Sequence, residues 1–128
     1  MLVEPLRRPP TRCIGAEAIP SEIIGPAWVA DGDTICVVGY QNRLFGIDAP
    51  ELDHPWGRTA RAELVLLCND HPVRCIPDGS TTYDRLVARC YLPDGRDLSA
   101  EMVRRGLAID WPRFSGGEYR RFEPRDAR

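Results

Sequence analysis

Two short acidic motifs hold most of the chemical potential of this 128-residue chain. Asp31-Gly32-Asp33-Thr34 sets two carboxylates at i and i+2 where a strand begins, so both can face one side of it. Asp48-Ala49-Pro50-Glu51 adds two more, with Pro50 stiffening the backbone between them. Either motif alone also reads as turn chemistry, since Asp-Gly is a frequent hairpin pair. On neighbouring strands the four carboxylates can converge. Without a cation they would repel one another and raise their own pKa values, whereas Ca²⁺ takes several such oxygen ligands. Arg43 opens the strand that Asp48 closes, and Arg85 opens the last strand after Thr82-Tyr83-Asp84. Guanidinium groups near a divalent cation suit stabilisation of charge on a phosphoryl group in transit. Strict alternation puts Arg43 on the face of Phe45 and Ile47, opposite Asp48, so the two meet only through a bulge or a loss of alternation.

The elements that must position these residues follow from the hydrophobic pattern. Ile23-Ile24 with Ala27-Trp28-Val29, Thr34 to Val38, and Leu44 to Ile47 are short apolar or β-branched runs. Asp31-Gly32 and Gly39-Tyr40-Gln41-Asn42 are turn signals between them. Over residues 57–69 the period changes: Ala60, Leu64, Leu67 and Cys68 define one face of an amphipathic helix. Val73–Ile76 and Leu86–Leu92 read as two more strands joined by a polar loop over Pro77–Asp84. A second helix is expected over Leu98–Arg105, ended by Gly106, and Gly116-Gly117 is read as the start of a third that Pro124 cuts short. Three strands, a helix, two strands and a helix define an α+β, mainly β class. The expected architecture is a five-stranded OB-fold barrel with two to three short helices packed outside. Residues 1–20, rich in Pro and Arg, read as a loose arm before a single domain over residues 21–128.

Composition narrows the partners. With 43% hydrophobic and 28% charged residues the chain is globular, and no apolar stretch approaches the roughly 18 residues of a membrane span. The opening residues lack the apolar core of a secretory signal, which leaves the compartment open between secreted, periplasmic and cytoplasmic. All 17 basic residues are arginine, against 19 acids, for a formal charge of −2. Non-specific coating of nucleic acid by broad positive charge is therefore excluded. Residues 31–53 hold five acids against Arg43 alone, and residues 104–128 hold seven arginines against four acids, as a metal site near an anionic substrate would. Of five cysteines, Cys75 and Cys90 lie equidistant from Thr82–Tyr83. A hairpin centred there would set them opposite each other, within disulfide range or as two small buried thiols.

Taken in order, Val29-Ala30-Asp31-Gly32-Asp33-Thr34-Ile35, Arg43 through Ile47-Asp48-Ala49-Pro50-Glu51, Tyr83-Asp84-Arg85, and Leu98 through Gly106-Leu107-Ala108 resemble the staphylococcal nuclease (thermonuclease) family over about residues 22–114. The resemblance implies an OB-fold barrel and a Ca²⁺-dependent phosphodiesterase acting on DNA and RNA, with single-stranded or flexible substrates preferred and a monomeric, membrane-free protein. It implies that Asp33, Asp48 and the Ala49 backbone carbonyl bind Ca²⁺, with Asp31 in the outer shell through water. Glu51 matches the base for the attacking water. Arg43 and Arg85 match the arginines that bind phosphate and stabilise the pentacoordinate state, and the 5′ P–O bond breaks to leave 3′-phosphate ends. Tyr83 matches a tyrosine beside the substrate nucleotide.

The chain departs from the family pattern at several points. Asp84 stands where glycine is common, Phe114 matches one family tyrosine, and Pro112 replaces another, with Trp111 available as a stacking surface. The loop from Glu51 to Gly57 is shorter than in the namesake enzyme, and the closing helix is reduced. Two other readings compete: a nucleic-acid- or protein-binding module without activity, against which the filled catalytic positions speak, and an accessory protein of envelope or polysaccharide pathways. The namesake enzyme is strongly basic and this chain is not. Its binding to DNA is expected to be weaker and more salt-sensitive; tight retention on a DNA column at high salt would contradict this.

Overall fold

Alternating apolar residues that cannot be solvated on one face close into a barrel. In the computed structural model, which describes residues 8–12 and 19–125, the strands are β1 (Ile23–Asp31), β2 (Thr34–Val37), β3 (Tyr40–Leu44) and the two-residue β4 (Ile47–Asp48). Helix α1 (Gly57–Cys68) precedes β5 (Pro72–Thr82) and β6 (Arg85–Tyr91). Helix α2 (Leu98–Arg104), β7 (Ile109–Asp110) and the single turn α3 (Pro112–Ser115) follow, with a 3₁₀ turn over Arg120–Phe122. The barrel runs β1-β2-β3-β6-β5 and closes β5 onto β1. Only β3 and β6 are parallel, pairing Arg43 with Val87. This is the five-stranded OB-like architecture expected, with helices outside. No helix among the described residues is long and apolar enough to cross a membrane.

Inward-facing Val29, Ile35, Val37, Leu44, Val73, Cys75, Leu86, Ala88 and Cys90 fill the interior. Helix α1 seals one side with Ala60, Leu64, Leu67 and Cys68, the face its periodicity defines. It ends on Asn69 in the left-handed conformation at φ 40°. Helix α2 is capped by Asp97, whose carboxylate accepts the Ser99 N–H at 2.9 Å. The Ser99 hydroxyl donates to the Phe45 carbonyl at 2.8 Å, which fastens α2 to the chain just after β3.

Three local expectations are corrected. Tyr40-Gln41-Asn42 belong to β3 rather than to a turn, because Val38 and Gly39 reverse the chain alone, at φ 52° and 81°. Residues 77–82 are strand rather than loop, and only Tyr83-Asp84 turn. Gly116-Gly117 end a short helix instead of starting one, since Gly116 takes a left-handed φ of 71° as its C-cap. The reading of residues 1–20 as a loose arm falls largely outside the described residues. Of these, Arg12 lies on the β2–β3 turn: its side chain donates to the Val38 carbonyl at 2.9 Å, and its guanidinium sits 5.0 Å from the Tyr40 ring centre.

Cys75 and Cys90 do stand opposite each other, fully buried, but for a different reason than a hairpin centred on Thr82–Tyr83. The turn lies one residue further on, and an irregularity between Pro77 and Thr81 absorbs two extra residues of β5 and restores the register. In this structure both are thiols with Sγ atoms 3.2 Å apart, against the roughly 2.05 Å of an S–S bond.

The core assignment carries a direct test. Leu64→Ala leaves a cavity under α1 and is expected to cost about 2–5 kcal/mol in chemical denaturation. Leu66→Ala, at an exposed position of the same helix, should stay within about 0.5 kcal/mol of the parent.

Candidate active site

The turn from β1 into β2 carries the first motif. Asp31 Oδ1 accepts the Asp33 N–H at 3.1 Å, a turn-forming contact that points Asp33 inward. Asp33 is 6% exposed. Its Oδ2 accepts from Arg43 Nη1 at 3.0 Å and from the Ala49 N–H at 3.2 Å, while Oδ1 accepts the Thr34 hydroxyl at 3.2 Å. Thr34 Oγ1 in turn accepts from Arg85 Nη1 at 3.0 Å. Both arginines are thus fixed to one carboxylate, Arg43 directly and Arg85 through Thr34.

Arg43 and Asp48 meet because alternation fails between them. After Leu44 the chain turns at Phe45-Gly46, where Gly46 adopts φ 77°. A side chain there would also meet Ser115 Cβ and the Tyr119 ring at 2.9 Å, so only glycine fits. Past the turn, Arg43 Nη2 lies 3.6 Å from Asp48 Oδ1 and donates to the Ile47 carbonyl at 3.2 Å. Glu51 is carried on a short self-braced segment. Its carbonyl accepts the His54 N–H, the His54 carbonyl accepts the Gly57 N–H, both at 2.9 Å, and His54 Nδ1 accepts the Trp56 N–H at 3.1 Å. A Cβ on Gly57 would lie 1.9 Å from the Glu51 carbonyl oxygen, so the start of α1 presses directly on the backbone of Glu51.

Asp31, Asp33, Arg43, Asp48, Ala49, Glu51, Tyr83, Arg85 and Trp111 all line one open cavity of about 250 Å³. The residues expected from the sequence to serve catalysis, metal or substrate lie there, except Phe114, while Cys75 and Cys90 are buried in the barrel interior. Phe114 lines an adjoining cavity of about 320 Å³ with an apolar floor that includes Leu44, Phe45, Ile47 and Val87. Arg43, Thr82 and Trp111 belong to both cavities. Tyr83, at φ 55° in the β5–β6 turn, is 94% exposed at the rim. Thr34 was not singled out as a site residue, although it ends the first acidic motif and pairs with Arg43 across β2 and β3. Asp78, Ser80 and Thr81 of the second cavity carried no signal, because they stood in what read as a loop.

The carboxylates share the cavity without forming a finished metal cluster: among the described residues no three His, Cys, Asp or Glu side chains are grouped to hold an ion. Arg43 supplies the counter-charge instead. The donors fit a hard cation nonetheless, since they are all oxygens and Asp33 is a desolvated carboxyl. Burial raises the Asp33 pKa to about 6 from 3.8, outweighing the opposing pull of Arg43. The folded state therefore holds this proton more tightly than the unfolded chain. The stabilisation is complete below about pH 4 and is lost as pH rises through about 6. Asp33→Asn removes this dependence, so in chelator the variant should be no less stable than the parent above pH 6. Denaturation curves at pH 4 and pH 8 that differ as much in the variant as in the parent would refute the assignment.

Comparisons with known proteins identify the family. Residues 41–123 match the family model described as Staphylococcal nuclease homologue. The chain is 33% identical over 108 residues to the succinoglycan biosynthesis protein ExoI of Rhizobium meliloti (strain 1021), covering 76% of this chain and 56% of that protein. It is 32% identical over 102 residues to a probable endonuclease LCL3 of Phaeosphaeria nodorum, covering 71% of this chain and 34% of that protein. With the probable endonuclease LCL3 of Scheffersomyces stipitis it shares 37% over 87 residues, 60% of this chain and 37% of that protein. The chain thus spans between about a third and just over half of these relatives. Matched by that family model over residues 41–123 and by a relative 33% identical over 76% of its length, the chain belongs to the family of staphylococcal nuclease homologues.

Proposed function

We propose that this chain is a Ca²⁺-dependent nuclease that hydrolyses phosphodiester bonds of DNA and RNA and leaves 3′-phosphate ends. The observation that carries the reading is the meeting of Arg43, Arg85 and Glu51 with the carboxylates of Asp33 and Asp48 around one cavity. Membership of a nuclease family and the likeness to proteins named probable endonucleases support the coarser part of it, hydrolysis of nucleic acid.

Asp33, Asp48 and the Ala49 carbonyl would hold the cation, with Asp31 behind them through water; such an ion supplies charge stabilisation at a phosphoryl oxygen and a site for water. Glu51, exposed in the cavity and braced from behind by Gly57, takes the proton of the attacking water on its carboxylate. Arg43 and Arg85 face the phosphate and meet the negative charge that grows on its oxygens. Both are presented by the parallel pair β3 and β6, so their separation is set by backbone hydrogen bonds. Tyr83 at the rim and Phe114 at the apolar cavity supply surfaces for the flanking bases, which suits a single strand whose bases are free to leave the stack.

A second reading has one observation in its favour, the name of the Rhizobium meliloti relative, which places that protein in succinoglycan biosynthesis. Under it the barrel serves an accessory role in polysaccharide synthesis, and the carboxylates are dispensable.

Cleavage of single-stranded DNA in Ca²⁺, in chelator, and by Glu51→Gln and Arg43→Ala tests the first reading. Each variant should lower kcat by about 10²-fold or more, with the exposed Glu51→Gln keeping a melting temperature close to the parent's, and chelator should abolish turnover. Unchanged turnover in either variant removes the proposed roles. A folded, Ca²⁺-loaded parent that does not cut would turn the reading towards a binding module.

A further inference from the structure

We infer that Trp111 is a positioning residue whose indole holds the Arg43 guanidinium at the seam between the two cavities. The inference rests on the nuclease reading of that site and assigns Trp111 a task different from stacking on a base.

The guanidinium carbon of Arg43 lies 5.0 Å from the centre of the Trp111 ring, within cation–π reach. The contact is confined to a half-buried arginine side chain that is 13% exposed, where such attraction is stronger than in open water. Trp111 is itself fixed. Its backbone N–H donates to the Gly46 carbonyl at 2.8 Å, and Phe114 packs edge-on against the indole at 4.5 Å between ring centres. The backbone turn that brings Asp48 to Arg43 therefore also anchors the tryptophan.

The other partners of Arg43 explain why the ring matters. Asp33 and Asp48 are the carboxylates that a cation would claim, and their hold on the guanidinium weakens when it does. The Ile47 carbonyl and the indole are neutral and do not compete for the ion or the phosphate. A long arginine side chain released from two carboxylates regains rotamer freedom that must be lost again in the transition state. The indole limits that freedom. One ring face committed to the guanidinium is also a face withdrawn from base stacking, which leaves Phe114 and Tyr83 for that purpose.

The test compares Trp111→Leu with Trp111→Phe on a DNA strand and on a strand whose residues flanking the scissile phosphate are abasic. If Trp111 acts through Arg43, the leucine variant should lose about 5- to 30-fold in kcat on both substrates, with KM changed less than about twofold. Trp111→Phe should recover most of the loss, and Trp111→Leu should cost nothing further in an Arg43→Ala background. A loss confined to the base-bearing strand and expressed in KM would assign Trp111 to stacking and overturn the inference, as would full additivity with Arg43→Ala. A separate readout needs no turnover: NMR relaxation of the Arg43 Nε–H group in Ca²⁺. Raised mobility in Trp111→Leu but not in Trp111→Phe supports the inference, and unchanged mobility refutes it. If the parent cuts neither strand, the nuclease reading fails while this measurement still decides the role of Trp111.

Discussion

A single buried carboxylate organises the site. Asp33 accepts hydrogen bonds from the Arg43 side chain, from the backbone amide that follows Asp48, and from the threonine that holds Arg85. The contacts reach β2, β3, the segment after β4 and, through Thr34, the start of β6. A carboxyl in that position is expensive to bury, and its raised pKa shows that one arginine does not offset the cost in full. On the proposed reading, a bound cation would offset the remaining deficit. In this sense the site is strained electrostatically before any ligand arrives, and the barrel around it bears that strain.

The barrel bears it through long-range pairing. The parallel contact between β3 and β6 joins residues more than forty positions apart and sets Arg43 beside the strand that Arg85 opens. Helix α2 reaches the same region from outside, through the Ser99 bond to the Phe45 carbonyl. The closing segment does so through the fit of Tyr119 and Ser115 around Gly46. The turn at Phe45-Gly46 is therefore held from several sides, which suits a point where the chain must reverse which face its side chains present. Arginine serves this packing as much as it serves chemistry: guanidinium groups lie over Phe45, Trp28, Tyr40 and Phe122 as well as over Trp111. The lysine-free composition is used structurally wherever a flat cation meets a ring.

Much of this was legible in the sequence because alternation and helical period are strong signals when one face is buried. Helix α1 could be read from Ala60, Leu64, Leu67 and Cys68, and the acidic motifs marked the strand ends on which they lie. Turns were less legible. Val38, a β-branched residue, takes a positive φ that no propensity suggests, so the reversal was displaced towards Tyr40-Gln41-Asn42. Residues 77–82 are polar because they line a rim and a cavity rather than because they form a loop. Polarity in a strand with one open face carries no turn information. The conflict between Arg43 and Asp48 was visible as a violation of alternation, and its solution through Gly46 was the kind of local break the sequence required without locating. Thr34 escaped notice because its role depends on Arg85, fifty-one positions away.

The irregularity in β5 has a consequence for how this scaffold can change. The two surplus residues between Pro77 and Thr81 leave the ladder intact on both sides, at Cys75–Cys90 and again at Thr82–Arg85. Insertions and deletions confined to Asp78-Gly79-Ser80 can therefore alter one wall of the apolar cavity while the interior thiols and the arginine keep their places. Gly79 has open space around it, and its φ of 94° is the one local feature that favours glycine there. The same segment separates what the fold must conserve from what it can vary, and descendants of this chain could acquire new ligand preferences there without renegotiating the barrel.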